Sequence, residues 1–216
     1  MMKSIDIVLE PDRKDKREND IKISYPNNAA VVLLVTDKGK RVLVDTGSLG
    51  YGNKLIAGLK KKGLKPEDIG FVFLTHAHFD HYGNVHLFTN AQLIQDKWVV
   101  DIGNGKTTKW GISFNEMPQP DIDGVEIIRT PGHTEDSISL LCKYKGKKWA
   151  LVGDAIKASI IEKGLITKSC RDQKEYYDNI QMLFDVADVL VTGENGIIDG
   201  KKFLELKDKA SKLQIE

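Results

Sequence analysis

The sequence predicts a single α+β domain over residues 1–216. Three observations predict it. Short runs rich in Val, Ile, Leu and Phe recur along the chain, bounded by Gly, Asp or Asn, as buried strands are. Segments with apolar residues three and four apart, set among charges, stand between them as amphipathic helices do. A chain of 216 residues fits one domain better than two and is long enough to bury a core without disulfide staples.

Residues 5–10 and 29–35 are β-branched runs, and 40–44 is a third that ends at Asp45-Thr46-Gly47. Residues 53–62 place Leu55, Ile56 and Leu59 among lysines at helical spacing and stop at Gly63. Residues 70–74 form a short buried strand, and 91–94 and 125–129 read as two more. Residues 137–143 and 148–152 flank Lys145-Gly146-Lys147 as a hairpin. Residues 172–186 are helical, with Tyr176, Ile180, Leu183 and Phe184 on one face. A strand at 188–191 and a charged helix at 201–213 complete the chain. Residues 96–124 have no clean period and carry Trp98, Trp110 and Phe114 among glycines and prolines. They read either as a functional loop or lid, or as an irregular segment whose aromatics fill a satellite core.

Composition narrows the function. Apolar residues make up 41% and charged residues 29%, which excludes a disordered or collagen-like chain. No apolar run approaches the ~18 residues of a membrane span, and Asp6 and Glu10 interrupt any leader, so a cytoplasmic protein without membrane contact is expected. A net charge of +1 argues against binding long polyanions over the whole surface. Cys142 and Cys170 lie far apart with no C-x-x-C and read as unpaired thiols, one buried and one on a loop.

The chemistry concentrates in Thr75-His76-Ala77-His78-Phe79-Asp80-His81, directly after a buried strand. In an extended segment alternate residues share a side, so His76, His78 and Asp80 converge where the strand ends, with His81 on the adjoining turn. Imidazole and carboxylate together suit Zn, Mn or Fe, and the ligands outnumber those one ion needs. A structural zinc site would be closed and commonly uses cysteine, so this pattern favours an open, catalytic, two-metal site. His133, in Thr130-Pro131-Gly132-His133, and Asp154, after Gly153, also follow strands and extend the ligand set. Asp45 has the same placement and could orient a ligand imidazole or simply cap a turn.

H-x-H-x-D-H, then G-H-T about fifty residues on and G-D about twenty further, with D-T-G upstream, resembles the metallo-β-lactamase superfamily over about residues 25–196. The resemblance implies a four-layer αββα sandwich with metals at one edge of two packed sheets. It implies that His76, His78 and His133 hold a first metal, Asp80 and His81 a second, and that Asp154 bridges them. The family's last histidine is replaced: in Thr192-Gly193-Glu194-Asn195, Glu194 stands at its place. Glu194 could ligate the second metal, the second site could be weak, or the site could be decayed. A carboxylate there also suits Mn or Fe(II).

The expected function is hydrolysis by metal-activated water of a small ester, thioester, lactone or similar bond. The expected cofactor is two divalent ions, zinc first and Mn or Fe as alternatives. Asp80 is the candidate for proton transfer as well as metal binding. Three alternatives stand beside this: a nucleic-acid or other phosphodiesterase, a mononuclear iron enzyme that uses oxygen, and a non-catalytic degenerate member. A small-molecule substrate is favoured over nucleic acid, and substrate choice is expected to reside in 96–124 and 155–170. His86 reads as a helix-borne surface or core-edge residue rather than a ligand. Oligomeric state is not legible.

Overall fold

The computed structural model describes residues 1–19, 21–109, 122–168 and 170–216. Two mixed sheets form its centre. The larger orders its strands Met2–Leu9, Val31–Thr36, Arg41–Val44, Phe71–Leu74, Gln92–Gln95, Trp98–Asp101 and Thr107–Lys109. The smaller runs Val125–Arg129, Ile138–Tyr144, Lys147–Gly153, Val189–Thr192 and Gly196–Ile198. Arg41–Val44, Phe71–Leu74 and Gln92–Gln95 are mutually parallel, and Lys147–Gly153 runs parallel to Val189–Thr192.

The apolar runs are continuous because the central strands are buried on both faces. In the larger sheet Val32, Leu34, Val42, Val44, Phe73 and Ile94 face inward. They meet Ile127, Ile138, Leu140, Cys142, Leu151 and Val191 of the smaller sheet. The alternate residues Val31, Leu33, Leu43, Val72 and Leu74 face outward against Leu55 and Leu59 of the Gly52–Lys61 helix and against Phe88. On the far side Ala150, Val152 and Leu190 pack under the Gln173–Val186 and Gly200–Ala210 helices through Ile180, Leu183, Phe203 and Leu206. The result is an α+β sandwich of four layers, helix, sheet, sheet, helix. Each fully buried Leu, Val or Phe contributes about 1.5–3 kcal/mol. Asp172 caps the Gln173–Val186 helix by accepting from the Glu175 N–H at 2.9 Å.

The structure corrects the sequence reading in three places. Asp12–Glu18 and Ile21–Asn28 form an antiparallel hairpin outside both large sheets, where no strand was foreseen. Asp12–Glu18 is charged throughout and gives no apolar alternation to read, although Ile21, Ile23 and Tyr25 alternate with polar residues in its partner. The stretch 96–124 is not wholly irregular: Trp98–Asp101 and Thr107–Lys109 extend the larger sheet, while its residues 110–121, with Trp110 and Phe114, lie outside the described residues. Within 155–170, Ala158–Lys163 is a helix. His86 sits on a short 3-10 helix, Val85–Leu87. Cys142 and Cys170 are unpaired, and both are buried. Among the described residues no helix is long and apolar enough to cross a membrane.

Candidate metal centre

Five strand ends meet at one edge of the sandwich. Arg41–Val44 ends at Asp45, Phe71–Leu74 at Thr75 and His76, and Lys147–Gly153 at Asp154. Val189–Thr192 leads into Gly193 and Glu194, and Val125–Arg129 into the turn that carries His133. Backbone bonds lock these ends together: Asp45 N donates to Phe73 O at 2.8 Å, Ile138 N to Thr75 O at 2.9 Å and Gly193 N to Gly153 O at 2.9 Å.

Ligand-capable atoms of His76, His78, His133 and Asp154 all lie within 4.8 Å of one another. His78 Nδ1 is 2.9 Å from His76 Nε2 and 3.2 Å from His133 Nε2. Burial holds the His76 imidazole well below its usual range and brings His133 down to about 4, with Asp154 pulling the other way in both. Burial lowers His78 as well. All three are therefore neutral near pH 7, the form that ligates metal. Asp154 is ionised: burial alone would raise it, but Lys157 and His81 hold it well below the usual carboxylate range.

His81 lies behind this group. Its Nδ1 is 2.8 Å from Asp45 Oδ2, and its Nε2 is 3.5 Å from Asp154 Oδ1. Asp45 also accepts from the Thr75 N–H at 2.8 Å and from the Thr75 hydroxyl. One buried carboxylate thus fixes both the His81 ring and the start of the histidine motif. Burial pulls His81 down, but Asp45 and then Asp154 outweigh it and raise it. His81 Nε2 and Asp154 Oδ1 are buried with no hydrogen-bond partner among the described residues. Buried polar atoms are costly in that state. Together with the four-residue cluster they fit the donor set of a divalent ion.

Two glycines make room for the convergence. A Cβ on Gly193 would lie 2.6 Å from Asp154 Oδ1 and 2.8 Å from His81 Cε1. A Cβ on Gly153, whose φ is +52°, would lie 2.3 Å from the Thr75 hydroxyl.

The remaining expected ligands are held differently. Asp80 and Glu194 lie outside the four-residue cluster. Glu194 Oε1 is 3.0 Å from Lys157 Nζ and 3.3 Å from Arg13 Nη1, and the Ser159 hydroxyl donates to its Oε2 at 3.3 Å. Asp80 Oδ2 is 3.7 Å from Arg13 Nη1, and Asp154 Oδ2 is 2.6 Å from Lys157 Nζ. Sequence reasoning missed Arg13 and Lys157. Arg13 arrives on the unforeseen hairpin and has no signature. Lys157 could have been found, since it follows Asp154 by three residues beside a predicted ligand. His86 is exposed and stands apart from the cluster.

The centre opens into a cleft of about 620 Å³. Tyr25 of the hairpin, Leu49, Tyr51 and Phe79 line it. Tyr25, Leu49 and Phe79 are 83%, 71% and 61% exposed, so their apolar surface is free to meet a bound molecule.

A family model described as the metallo-beta-lactamase superfamily matches residues 25–193. A probable metallo-hydrolase of Methanocaldococcus jannaschii is 31% identical over 165 residues, covering 76% of this chain and 75% of that one. A putative metallo-beta-lactamase of Thermotoga maritima has the same fold, with a TM-score of 0.59 at 20% identity over 91% of this chain and 98% of that one. A dizinc quorum-quenching lactonase, seen with an N-hexanoyl-homoserine product, gives a TM-score of 0.58 at 17% identity over 83% and 76% of the two chains.

Proposed function

The chain belongs to the metallo-β-lactamase superfamily, and from that premise we propose that it is a metal-dependent hydrolase of a small ester, thioester or lactone. The observation that carries this reading is the convergence of His76, His78, His133 and Asp154 at the floor of an open cleft. His76, His78, His133 and Asp154 would hold a divalent ion, zinc first, which would supply water activated near neutral pH and an electrophile for the substrate oxygen. His81, held by Asp45, steadies the side of Asp154 that faces away from His133. Asp80 lines the cleft and is placed to take a proton during attack and return it to the leaving group. Tyr25, Leu49 and Phe79 offer an apolar wall to the acyl part of the substrate.

The cleft's charges favour a small molecule over nucleic acid. Arg13, Lys22 and Lys157, the cations that line it, each face a carboxylate within 3.3 Å. A polyanion needs cations free to neutralise phosphates. The dizinc lactonase of the same fold makes acyl lactones a sensible first substrate class to try.

The test is metal content by elemental mass spectrometry on protein purified without added metal, followed by a panel of lactones, esters, thioesters and phosphodiesters. Bound divalent metal and chelator-sensitive turnover of an acyl compound are expected. Protein that binds no metal, or that turns over only phosphodiesters, would overturn the reading.

A further inference from the structure

We infer that Lys157, backed by Arg13, supplies with side-chain charge what a second divalent ion would supply, so that the centre binds one ion tightly. This rests on the reading of His76, His78, His133 and Asp154 as a metal centre.

The carboxylates on the second side of the centre are already engaged. Lys157 Nζ lies 2.6 Å from Asp154 Oδ2 and 3.0 Å from Glu194 Oε1. Arg13 Nη1 spans Glu194 at 3.3 Å and Asp80 at 3.7 Å. With Asp80 and Glu194 paired to cations, the buried atoms left without a hydrogen bond on this side, among the described residues, are His81 Nε2 and Asp154 Oδ1. Open catalytic zinc sites use three protein ligands.

Lys157 is not a surface lysine that brushes the site. Its side chain is 12% exposed, and it sits where the chain leaves Asp154 to start the Ala158–Lys163 helix. A buried ammonium is stable only while paired. An ion that took Glu194 and the Asp154 oxygen from Lys157 would strand that ammonium, and the cost would be charged against the ion's affinity. Ser159 adds a hydrogen bond that holds Glu194 toward Lys157.

Net charge agrees. Asp80, Asp154 and Glu194 against Lys157 and Arg13 leave the cluster one charge negative, with His76, His78 and His133 neutral and the Asp45–His81 and Asp15–Lys22 pairs each balanced. One divalent ion makes it one charge positive. A second makes it three positive in a partly buried cleft, where like charges repel strongly. The ammonium also lines the cleft, and with two of its three donors on Asp154 and Glu194 one remains for a substrate oxygen as negative charge develops.

The experiment is zinc and manganese stoichiometry, by titration calorimetry and native mass spectrometry, on the wild-type protein, Lys157→Met and Arg13→Met. Methionine keeps the four-atom stem of the lysine side chain and removes its charge. The wild type is expected to hold one tight equivalent. Lys157→Met is expected to take a second, or to bind it at least about tenfold more tightly, and Arg13→Met to shift the same way by less. Arg13 lies on the hairpin, outside the apolar cores, so its variant keeps the test alive if Lys157→Met does not fold. Two tight equivalents in the wild type would overturn this inference and leave the hydrolase reading standing. An unchanged second equivalent in the folded variants would do the same. No metal in any of the proteins would overturn both.

Discussion

On the histidine side of the cleft floor, His76, His78 and His133 crowd three neutral rings around one carboxylate, and no Lys or Arg among the described residues is paired with the rings' nitrogens. On the other side of Asp154, Glu194 and Asp80 are interleaved with Lys157 and Arg13. The first arrangement is poised for a metal, because burial has removed the protons that would compete with it. The second is already neutralised by the chain itself. Both grow from strand ends of the same sandwich, so the difference lies in which side chains follow the strands and not in the scaffold.

The sharpest way to break this contrast is to remove a ring from the histidine side. His78→Ala should abolish metal retention and bring turnover to background, while the metal-free protein stays within about 0.5 kcal/mol of the parent in urea, because His78 stands outside the apolar cores. Metal retained at wild-type level would move the centre elsewhere. Asp45→Asn should weaken metal binding by about 10–100-fold, as it loosens His81 and Thr75 without touching the cluster. Calorimetry reads this, and an unchanged affinity would detach Asp45 from the centre. Gly193→Ala presses a methyl against Asp154 and His81 and should cost about 1–3 kcal/mol in chemical denaturation. Tyr176→Phe removes the bond from the Tyr176 hydroxyl to the Asp154 carbonyl, at 3.1 Å, and should cost about 0.5–1.5 kcal/mol with metal still bound.

The smallest effect is a control. Burial pushes the Cys142 thiol up to about 12, so at pH 8 the folded protein carries almost no Cys142 thiolate. A thiol reagent should leave Cys142 unmodified in the native protein and in every site variant, and should modify it in urea. Modification in a variant would show that the change had reached the core between the sheets and not the cleft alone.

Much of this was legible because two signals are local. Runs such as Val31–Thr36 and Phe71–Leu74 announce strands buried on both faces, and H-x-H-x-D-H announces a cluster of metal-capable side chains at a strand end. What stayed hidden depends on distant pairing. The Asp12–Glu18 strand has no apolar face, and what anchors its charges is spatial: Arg13 against Glu194, Lys22 against Asp15. Asp45 could be read as a candidate, but its bond to His81 spans 36 residues of sequence. Glu194 was noticed as a departure, yet its partners come from the hairpin and from a helix start that no pattern joined to it.

The hairpin has one more consequence. None of the described residues among 12–27 belongs to the three apolar cores, yet Arg13, Lys22, Ser24, Tyr25 and Asn27 all line the cleft. Mutations there alter what the cleft accepts while leaving the foundations of the fold untouched. Descendants of this sequence can therefore drift in substrate preference through the arm with little risk of misfolding, and a library confined to it would explore specificity on an intact scaffold.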